Sequence, residues 1–444
     1  MKILVIGASL SGKAAALLAR KQNFDVFVTE NQTKDNFEDT IIQFEQNLIN
    51  FEFGGHTKYG LTNYDFAIAS PGIPRNADII AELKKNNVKI VSEVEFAYQF
   101  CKNPIIAITG TNGKTTTTSL ITHIFNKSGK MAISAGNIGR AFSEAVMEVD
   151  DNTIISLEVS SYQLDRIDKF RPNVAIITNI SPDHLKYHTT MEDYVETKWK
   201  ICSNQIDKDL LILNYDNDYL RKSKSSNSKI QYFSLNELRG GAFIRNGWII
   251  LDIQHKEEEI MPISNIGIKG QHNLYNSLAA ILATRSFEIT NENYRSALSS
   301  FSGVEHRLEF VQTINEVEYY NDSKATNVNS TWFALNSFNS PIIWIAGGRG
   351  DNNDYSMLDS SVRKNVKSII CIGEEAESIY KHFSTMVPCQ KVKTLEEAVF
   401  AAFSEAKEDE IVLFSPACKS FDMFANFEHR GEIFKQIVRK LPEK

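Results

Sequence analysis

The 444-residue chain carries 48 Lys and Arg against 55 Asp and Glu, a formal net charge of −7. Without a block of basic residues, a nucleic-acid footprint is not expected, and no apolar run reaches membrane length. The length exceeds one ordinary hydrophobic core, so two or three domains are expected.

Five scattered cysteines, Cys101, Cys202, Cys371, Cys389 and Cys418, form no C-x-x-C pair. This points to free thiols in a reducing compartment, with neither zinc nor a disulfide framework. The opening "MKILVIGASLSGKAAALLA" reads as a first strand and helix and not as a signal peptide. A cytoplasmic protein is therefore expected.

In chain order, short β-branched runs alternate with helical patterns, which predicts an α/β protein with parallel sheets. The first series runs from "KILVIGAS" through "DVFVTE" and "YDFAIASPGIP" to "VKIVSEVEFAYQF". A second opens with "PIIAITG" and contains "NTIISLEVSS", "NVAIITNIS" and "DLLILNYDN". An antiparallel excursion is expected between about 225 and 265, before the helix in "GQHNLYNSLAAILATRSF". The third series holds "PIIWIAGGRG", "VKSIICIGE" and "DEIVLFSPA". Boundaries near 98 and 304 give expected domains 1–98, 99–303 and 304–444.

Ligands of open parallel sheets bind beyond the carboxyl ends of the strands, so the strand-end loops carry the functional reading. "GASLSG" (7–12) has dinucleotide-loop spacing, but Ser9 replaces the middle glycine that admits a pyrophosphate. It is either a diphosphate site or a plain tight turn. Glu30, ending the second strand, could accept from a ribose or base.

"TGTNGKTTTT" is the sharper signal. It lacks the first glycine of G-x-x-x-x-G-K-[ST], yet a strand feeds it and a helix follows, so backbone N–H groups face an anion. Lys114 would neutralise β- and γ-phosphate charge, and the Thr115 hydroxyl could ligate Mg²⁺. Glu158, ending an apolar strand, is either a paired structural acid or a second Mg²⁺ ligand. "NISPDHLKYH" offers Asp183, His184 and His188. Lys198, in "MEDYVETKWKI", reads as a solvated helix residue, because a protonated lysine cannot ligate a metal.

Together these residues resemble the Mur ligases, ATP-dependent amide-forming enzymes of peptidoglycan synthesis, whose phosphate loop reads G-T-N-G-K-T-T. The resemblance spans nearly the whole chain. "SPGIP", "GNIG", "LEVSSYQL", "GQHNLYNSLAA", "EHRLEF", "NDSKATN" and "FSPACKSFDMFANFEHRGEIF" match in order the branch that adds D-glutamate. The "DNPR" run of the diamino-acid-adding branch is absent.

The resemblance implies a Rossmann-like N-terminal domain, a central P-loop-type ATPase domain and a Rossmann-like C-terminal domain. It implies ATP, two Mg²⁺ ions, and UDP-N-acetylmuramoyl-L-alanine and D-glutamate as substrates of a monomer. Leu10, Ser11, Glu30 and Gly72 would line the uridine diphosphate end. Gly110, Thr111, Asn112, Gly113, Lys114, Thr115 and Thr116 would hold ATP phosphates. Asn273, Asn276, His306, Arg307 and Asp322 would surround adenosine and phosphate.

Thr115 and Glu158 would bind one Mg²⁺, and His184 a second. Lys198 matches the family's carbamylated lysine, whose anionic adduct bridges that metal. Asn137 would sit beside His184, between phosphate and acceptor carboxylate. Lys324, Thr326, Ser420 and Phe427 would place D-glutamate. Where the family commonly has a lysine for the D-glutamate side chain, this chain has Asp351, so Arg349 is expected to take that role. A different amino-acid specificity, or a noncatalytic nucleotide-binding module, is the alternative reading.

Overall fold

The computed structural model describes residues 1–57, 63–222, 226–338, 340–350 and 353–442. Asp351 lies outside the described residues. The chain packs as two compact units, Met1–Ile266 with Asn273–Phe301, and Gly267–His272 with Ser302–Lys444. Three sheets define a three-domain α/β fold, two of them in the first unit.

The first sheet comprises β1 (Lys2–Ile6), β2 (Asp25–Glu30), β3 (Asn50–Phe53), β4 (Phe66–Ala69) and β5 (Lys89–Ser92), in the order β3-β2-β1-β4-β5. All pairings are parallel. Ile3, Leu4, Val5 and Ile6 are fully buried. That explains an uninterrupted apolar run, since a parallel sheet is covered on both faces. The strand order reverses between β1 and β4, which opens a crevice at their carboxyl ends.

The central sheet begins with β6 (Ile105–Thr109), β7 (Ala132–Gly136), β8 (Ile154–Glu158), β9 (Val174–Ile177) and β10 (Leu210–Asn214). It ends with β11 (Lys229–Ser234), β12 (Gly241–Arg245), β13 (Trp248–Ile253) and β14 (Lys256–Pro262). The order is β14-β13-β12-β11-β10-β9-β6-β8-β7. The antiparallel excursion expected from about 225 begins later. β11 and β12 still run parallel to their inner neighbours, and only β12-β13-β14 are antiparallel. The short turn at Asn246–Gly247 favours direct reversal there, with both residues at positive φ.

In the second unit, β15 (Glu309–Ile314) and β16 (Val317–Asn321) form a hairpin. β17 (Ile342–Gly347), β18 (Val366–Ile372), β19 (Cys389–Lys391) and β20 (Ile411–Phe414) complete the sheet in the order β15-β16-β20-β17-β18-β19. Among the described residues, no helix is long and apolar enough to cross a membrane.

One buried apolar cluster runs through the domains of the first two sheets, and two buried acids on the helix Glu93–Tyr98 also reach into the central domain. The Glu95 carboxylate accepts backbone N–H groups of Asp168, Lys169 and Phe170, each at 2.9 Å. Glu93 Oε1 accepts the Ser143 N–H at 2.5 Å, in the first turn of the helix Phe142–Glu148. Its other oxygen is buried without a partner. Burial pushes the Glu93 carboxyl up from 4.5 to about 7, against the pull of the Ser143 hydrogen bonds.

The folded state thus binds the Glu93 proton more tightly than the unfolded chain does. This stabilisation is complete below about 4.5 and is lost as pH rises through about 7. Glu93→Gln keeps the oxygen that accepts from Ser143 and removes the titration. Thermal unfolding should therefore show the variant equal to the parent at pH 5 and more stable at pH 8.

Candidate active site

The phosphate loop joins β6 to the helix Lys114–Lys127. Gly110 and Gly113 have φ of 145° and 82°, where side chains are disfavoured. A Cβ on Gly110 would overlap Thr178 Oγ1, and one on Gly113 would overlap Asn276 Oδ1. The loop thereby delivers the start of the helix Lys114–Lys127, whose first N–H groups and dipole favour an anion. Gly110→Ala should cost about 1–3 kcal/mol through this strain and contact. Calorimetric titration with the Mg²⁺ complex of ATP should show weakened binding in a variant that still unfolds cooperatively.

Two lysines converge on this loop. Lys114 Nζ donates to the carbonyls of Gly110 at 3.0 Å and Thr111 at 2.8 Å. Lys198 Nζ donates to the same Gly110 carbonyl at 2.7 Å and lies 4.5 Å from the centre of the Tyr194 ring. The sequence predicts a solvated Lys198; instead it is 1% exposed. The helix Met191–Trp199 turns this face inward, packing Tyr194 and Lys198 beneath the phosphate loop. Burial, reinforced by the charge of Lys114, pushes the Lys198 ammonium well below its usual range.

Glu158 ends β8 and is the register partner of Ile108, two residues before Gly110. Asn137 holds it twice: Nδ2 donates to Oε1, and the backbone N–H donates to the Glu158 carbonyl, both at 2.9 Å. Glu158 Oε2 is buried without a hydrogen-bond partner. An orphaned carboxylate oxygen beside a phosphate loop fits a hard cation, and Mg²⁺ takes few protein ligands besides substrate phosphates. Thr115, 5% exposed at the helix start, supplies a hydroxyl of the right kind. Among the described residues no three His, Cys, Asp or Glu cluster as a metal site. A metal here therefore depends on this mixed set.

His184 stands at φ 54°, its Nδ1 3.1 Å from the Tyr162 hydroxyl and its Nε2 3.3 Å from Asp183. Burial lowers its pKa, partly offset by Asp183, so the neutral imidazole is favoured. Thr116 lies in the first turn of the phosphate-loop helix. Thr117 Oγ1 donates to Asn276 Oδ1 at 3.2 Å, and Asn276 Nδ2 donates to Asn273 Oδ1 at 3.1 Å. These contacts tie both asparagines to the phosphate-loop helix.

Sequence reasoning missed the clamp on this loop. Asn179 Oδ1 accepts the Asn112 N–H while Nδ2 donates to the Asn112 carbonyl, both at 3.0 Å. Thr178 Oγ1 donates to the same carbonyl at 2.6 Å. The "TNIS" run after β9 was the available signal. Thr111 Oγ1 donates to the Ser181 carbonyl at 3.1 Å, closing the other side.

In the first sheet, Leu10 and Ser11 open the helix Leu10–Lys21 after the Gly7 turn. A Cβ on Gly7 would come within 2.7 Å of Ser70 Oγ, so the loops after β1 and β4 approach closely. Gly72 stands in open space on the second of these loops. Glu30 is 7% exposed and accepts the N–H groups of Ala8 at 2.8 Å and Gln32 at 2.9 Å. It first of all fixes the loop, with lone pairs left over for a ligand.

In the second unit the expected residues gather at the carboxyl ends of β16, β20 and β17. Asp322, after β16, is buried and accepts the Leu308 N–H at 3.1 Å and the Ser415 hydroxyl at 2.8 Å. Burial pushes its carboxyl up to about 7. Asn321 Nδ2 lies 3.0 Å from His306 Nδ1, and Arg307 Nε is buried without a partner. Lys324 Nζ sits 5.4 Å from the Phe427 ring centre, and the Thr326 N–H donates to the Lys324 carbonyl at 2.9 Å.

Ser420 is 2% exposed, at a turn where its carbonyl accepts the Phe424 N–H at 2.9 Å. Arg349 forks onto Glu374 at 3.0 and 2.8 Å, so a ligand carboxylate would compete with that acid. Arg430, also missed, is fully buried and holds Ser323 and the Cys418 carbonyl, between the Lys324 and Ser420 loops.

Three family descriptions match the chain in succession: the MurD N-terminal domain over residues 2–79, the Mur ligase middle domain over 108–284, and the "Mur ligase, glutamate ligase domain" over 306–418. The chain belongs to the Mur ligase family.

Its full-length relatives narrow the branch. A protein of Salinibacter ruber named UDP-N-acetylmuramoylalanine--D-glutamate ligase is 40% identical, covering 98% of this chain and 97% of its own. One of the same name from Christiangramia forsetii is 39% identical over 99% of both chains. Among solved structures, UDP-N-acetylmuramate-alanine ligase from Thermotoga maritima superposes with TM-score 0.59, covering 99% of each chain at 17% identity. MurF from Acinetobacter baumannii gives TM-score 0.61 over 94% of this chain and 91% of its own at 16% identity. At such identities these two share the fold.

Proposed function

We propose that the chain adds D-glutamate to UDP-N-acetylmuramoyl-L-alanine at the expense of ATP, in the cytoplasm and as a monomer. Limits of 1–98, 99–303 and 304–444 divide its labour between the UDP substrate, ATP and the amino acid. The observation that carries this reading is the convergence of Lys114, Lys198 and the Asn137–Glu158 pair on one phosphate loop. The names of the full-length relatives supply the amino acid and the acceptor.

A free carboxylate resists attack by an amine because oxide is a poor leaving group. Transfer of the ATP γ-phosphoryl group to it makes an acyl phosphate, and catalysis is then a matter of positioning and charge. Loop N–H groups and Lys114 hold the phosphates in line and offset charge as it moves. Thr115 and Glu158 would hold one Mg²⁺ and His184 a second, and the ions would supply positive charge against the phosphates.

The D-glutamate nitrogen attacks the acyl carbon, forming the C–N bond. Phosphate leaves with the C–O bond electrons, and the amine proton passes to a base or water. Lys324, Thr326, Ser420, Phe427 and Arg349 serve the amino acid. Carbamylation of Lys198 is the modification the family resemblance implies. Burial favours the neutral amine, which can attack CO₂ and lose a proton to give a carbamate anion.

Phosphate release in the presence of ATP, Mg²⁺ and UDP-N-acetylmuramoyl-L-alanine tests the reading. Dependence on D-glutamate is expected. Release driven by another amino acid instead would move the specificity, and no release with any would contradict the reaction.

A further inference from the structure

Arg75 belongs to none of the groups described so far, yet its guanidinium makes four hydrogen bonds to three side chains of the central domain. It lies in the loop between β4 and the helix Asp78–Lys85, the same loop that carries Gly72. Nε and Nη2 fork onto the Asp165 carboxylate at 2.8 and 2.6 Å. Nη1 donates to Asp193 at 2.5 Å, and Nη2 reaches Thr197 Oγ1 at 3.4 Å. The guanidinium carbon also lies 5.1 Å from the centre of the Tyr187 ring. The Tyr187 hydroxyl donates to the same Asp165 oxygen at 3.1 Å.

The partners have a common theme. Asp165 follows the short helix Ser161–Leu164, which begins just after the Glu158 strand. Asp193 and Thr197 sit four apart on one face of the helix Met191–Trp199, and Lys198 is the next residue. From the opposite direction, Arg166 Nη2 donates to the carbonyls of Ile73 at 3.1 Å and Pro74 at 3.4 Å. The loop of the first sheet is thus tied to the segment that leads away from Glu158 by donors on both, Arg75 on the loop and Arg166 on the segment.

Burial works against an ionised Asp165, but the hydrogen bonds and charge of Arg75 outweigh it and hold that carboxyl below its usual range. Without the guanidinium, Asp165 would keep the Lys200 ammonium at 3.5 Å and Asp193 the His188 ring at 3.6 Å, but the cation that ties both acids of the central domain to the first-sheet loop would be gone.

We propose that Arg75 is a positioning residue that registers the UDP-substrate loop against the Lys198 helix. This rests on the function proposed above. A substrate whose uridine end lies at the first sheet and whose carboxylate must reach the phosphate loop spans both pieces that Arg75 joins. A misplacement of about 1 Å across that span costs on the order of 100-fold in rate. The residues expected to hold ATP, the phosphate loop with Asn273, Asn276, His306, Arg307 and Asp322, all lie outside the first-sheet domain, so ATP would not span the joint.

The test is steady-state kinetics of the parent, Arg75→Met and Arg75→Lys, with thermal unfolding of each. Arg75→Met should lower kcat/KM for UDP-N-acetylmuramoyl-L-alanine about 100-fold and leave KM for ATP within about twofold. Arg75→Lys restores one charge without the fork and should fall between the two. Should Arg75→Met not fold, the same split in Arg75→Lys decides the matter.

Either of two results overturns the inference. One is parent-like kcat/KM for the nucleotide substrate in the folded variants. The other is a loss shared equally between both substrates alongside a lowered Tm, the mark of a structural rivet only. A parent enzyme that turns over no substrate would instead overturn the proposed function, and is told apart by that control.

Discussion

Lys114→Met should reduce kcat by about 100- to 1,000-fold while leaving the fold intact, because the lysine supplies charge where phosphoryl transfer develops it. Its Nζ sits over the loop carbonyls of Gly110 and Thr111, so its contacts serve the loop and not a hydrophobic core. Initial rates of phosphate release, with thermal unfolding as the control, measure both halves. A variant that keeps parent-like kcat would show that the loop's N–H groups suffice. A variant that loses Tm and rate together would make Lys114 a structural residue.

Lys198→Met should move activity and stability in opposite directions. The parent buries the Lys198 amino group, which donates to the Gly110 carbonyl and packs on the Tyr194 ring. Methionine has comparable reach and no polar group to desolvate, and the Gly110 carbonyl keeps the Lys114 donor. Tm should therefore hold or rise, while kcat falls by at least about 100-fold for loss of a group beside the transferring phosphoryl. A lowered Tm with retained turnover would reverse the assignment and leave Lys198 a packing residue.

The parts of the fold that were legible in the sequence are those with a local cause. β1, β6, β8 and β17 are buried on both faces, and their apolar runs announce this directly. The phosphate loop was legible for the same reason: strand, glycines, lysine and helix follow one another within a few residues. Where the cause is distant, sequence reasoning fails. Lys198 reads as solvated because its burial depends on a carbonyl 88 positions earlier. Glu93 and Glu95 find their partners 50 and 73 to 75 residues away, and no period or motif links them.

The site shows the same division. Glu158 stood open between structural acid and metal ligand, and the geometry gives each of its oxygens a different answer. Oε1 is taken by Asn137, while Oε2 is buried and unpartnered. Thr178 and Asn179 were passed over because a polar strand end looks like any loop until the chain brings Asn112 against it. Arg349 was read as a partner for the amino acid, while Glu374, onto which it forks, lies 25 residues on and was invisible. The family resemblance supplied what spacing could not, above all a chemical reason for a lysine at position 198.

The most direct test of the central claim is phosphate release by the purified chain with ATP, Mg²⁺ and UDP-N-acetylmuramoyl-L-alanine, run across a panel of D- and L-amino acids. Release that depends on D-glutamate is expected, with the amide product forming in step with phosphate. Release that ignores the added amino acid, or its absence with every member of the panel, would contradict it.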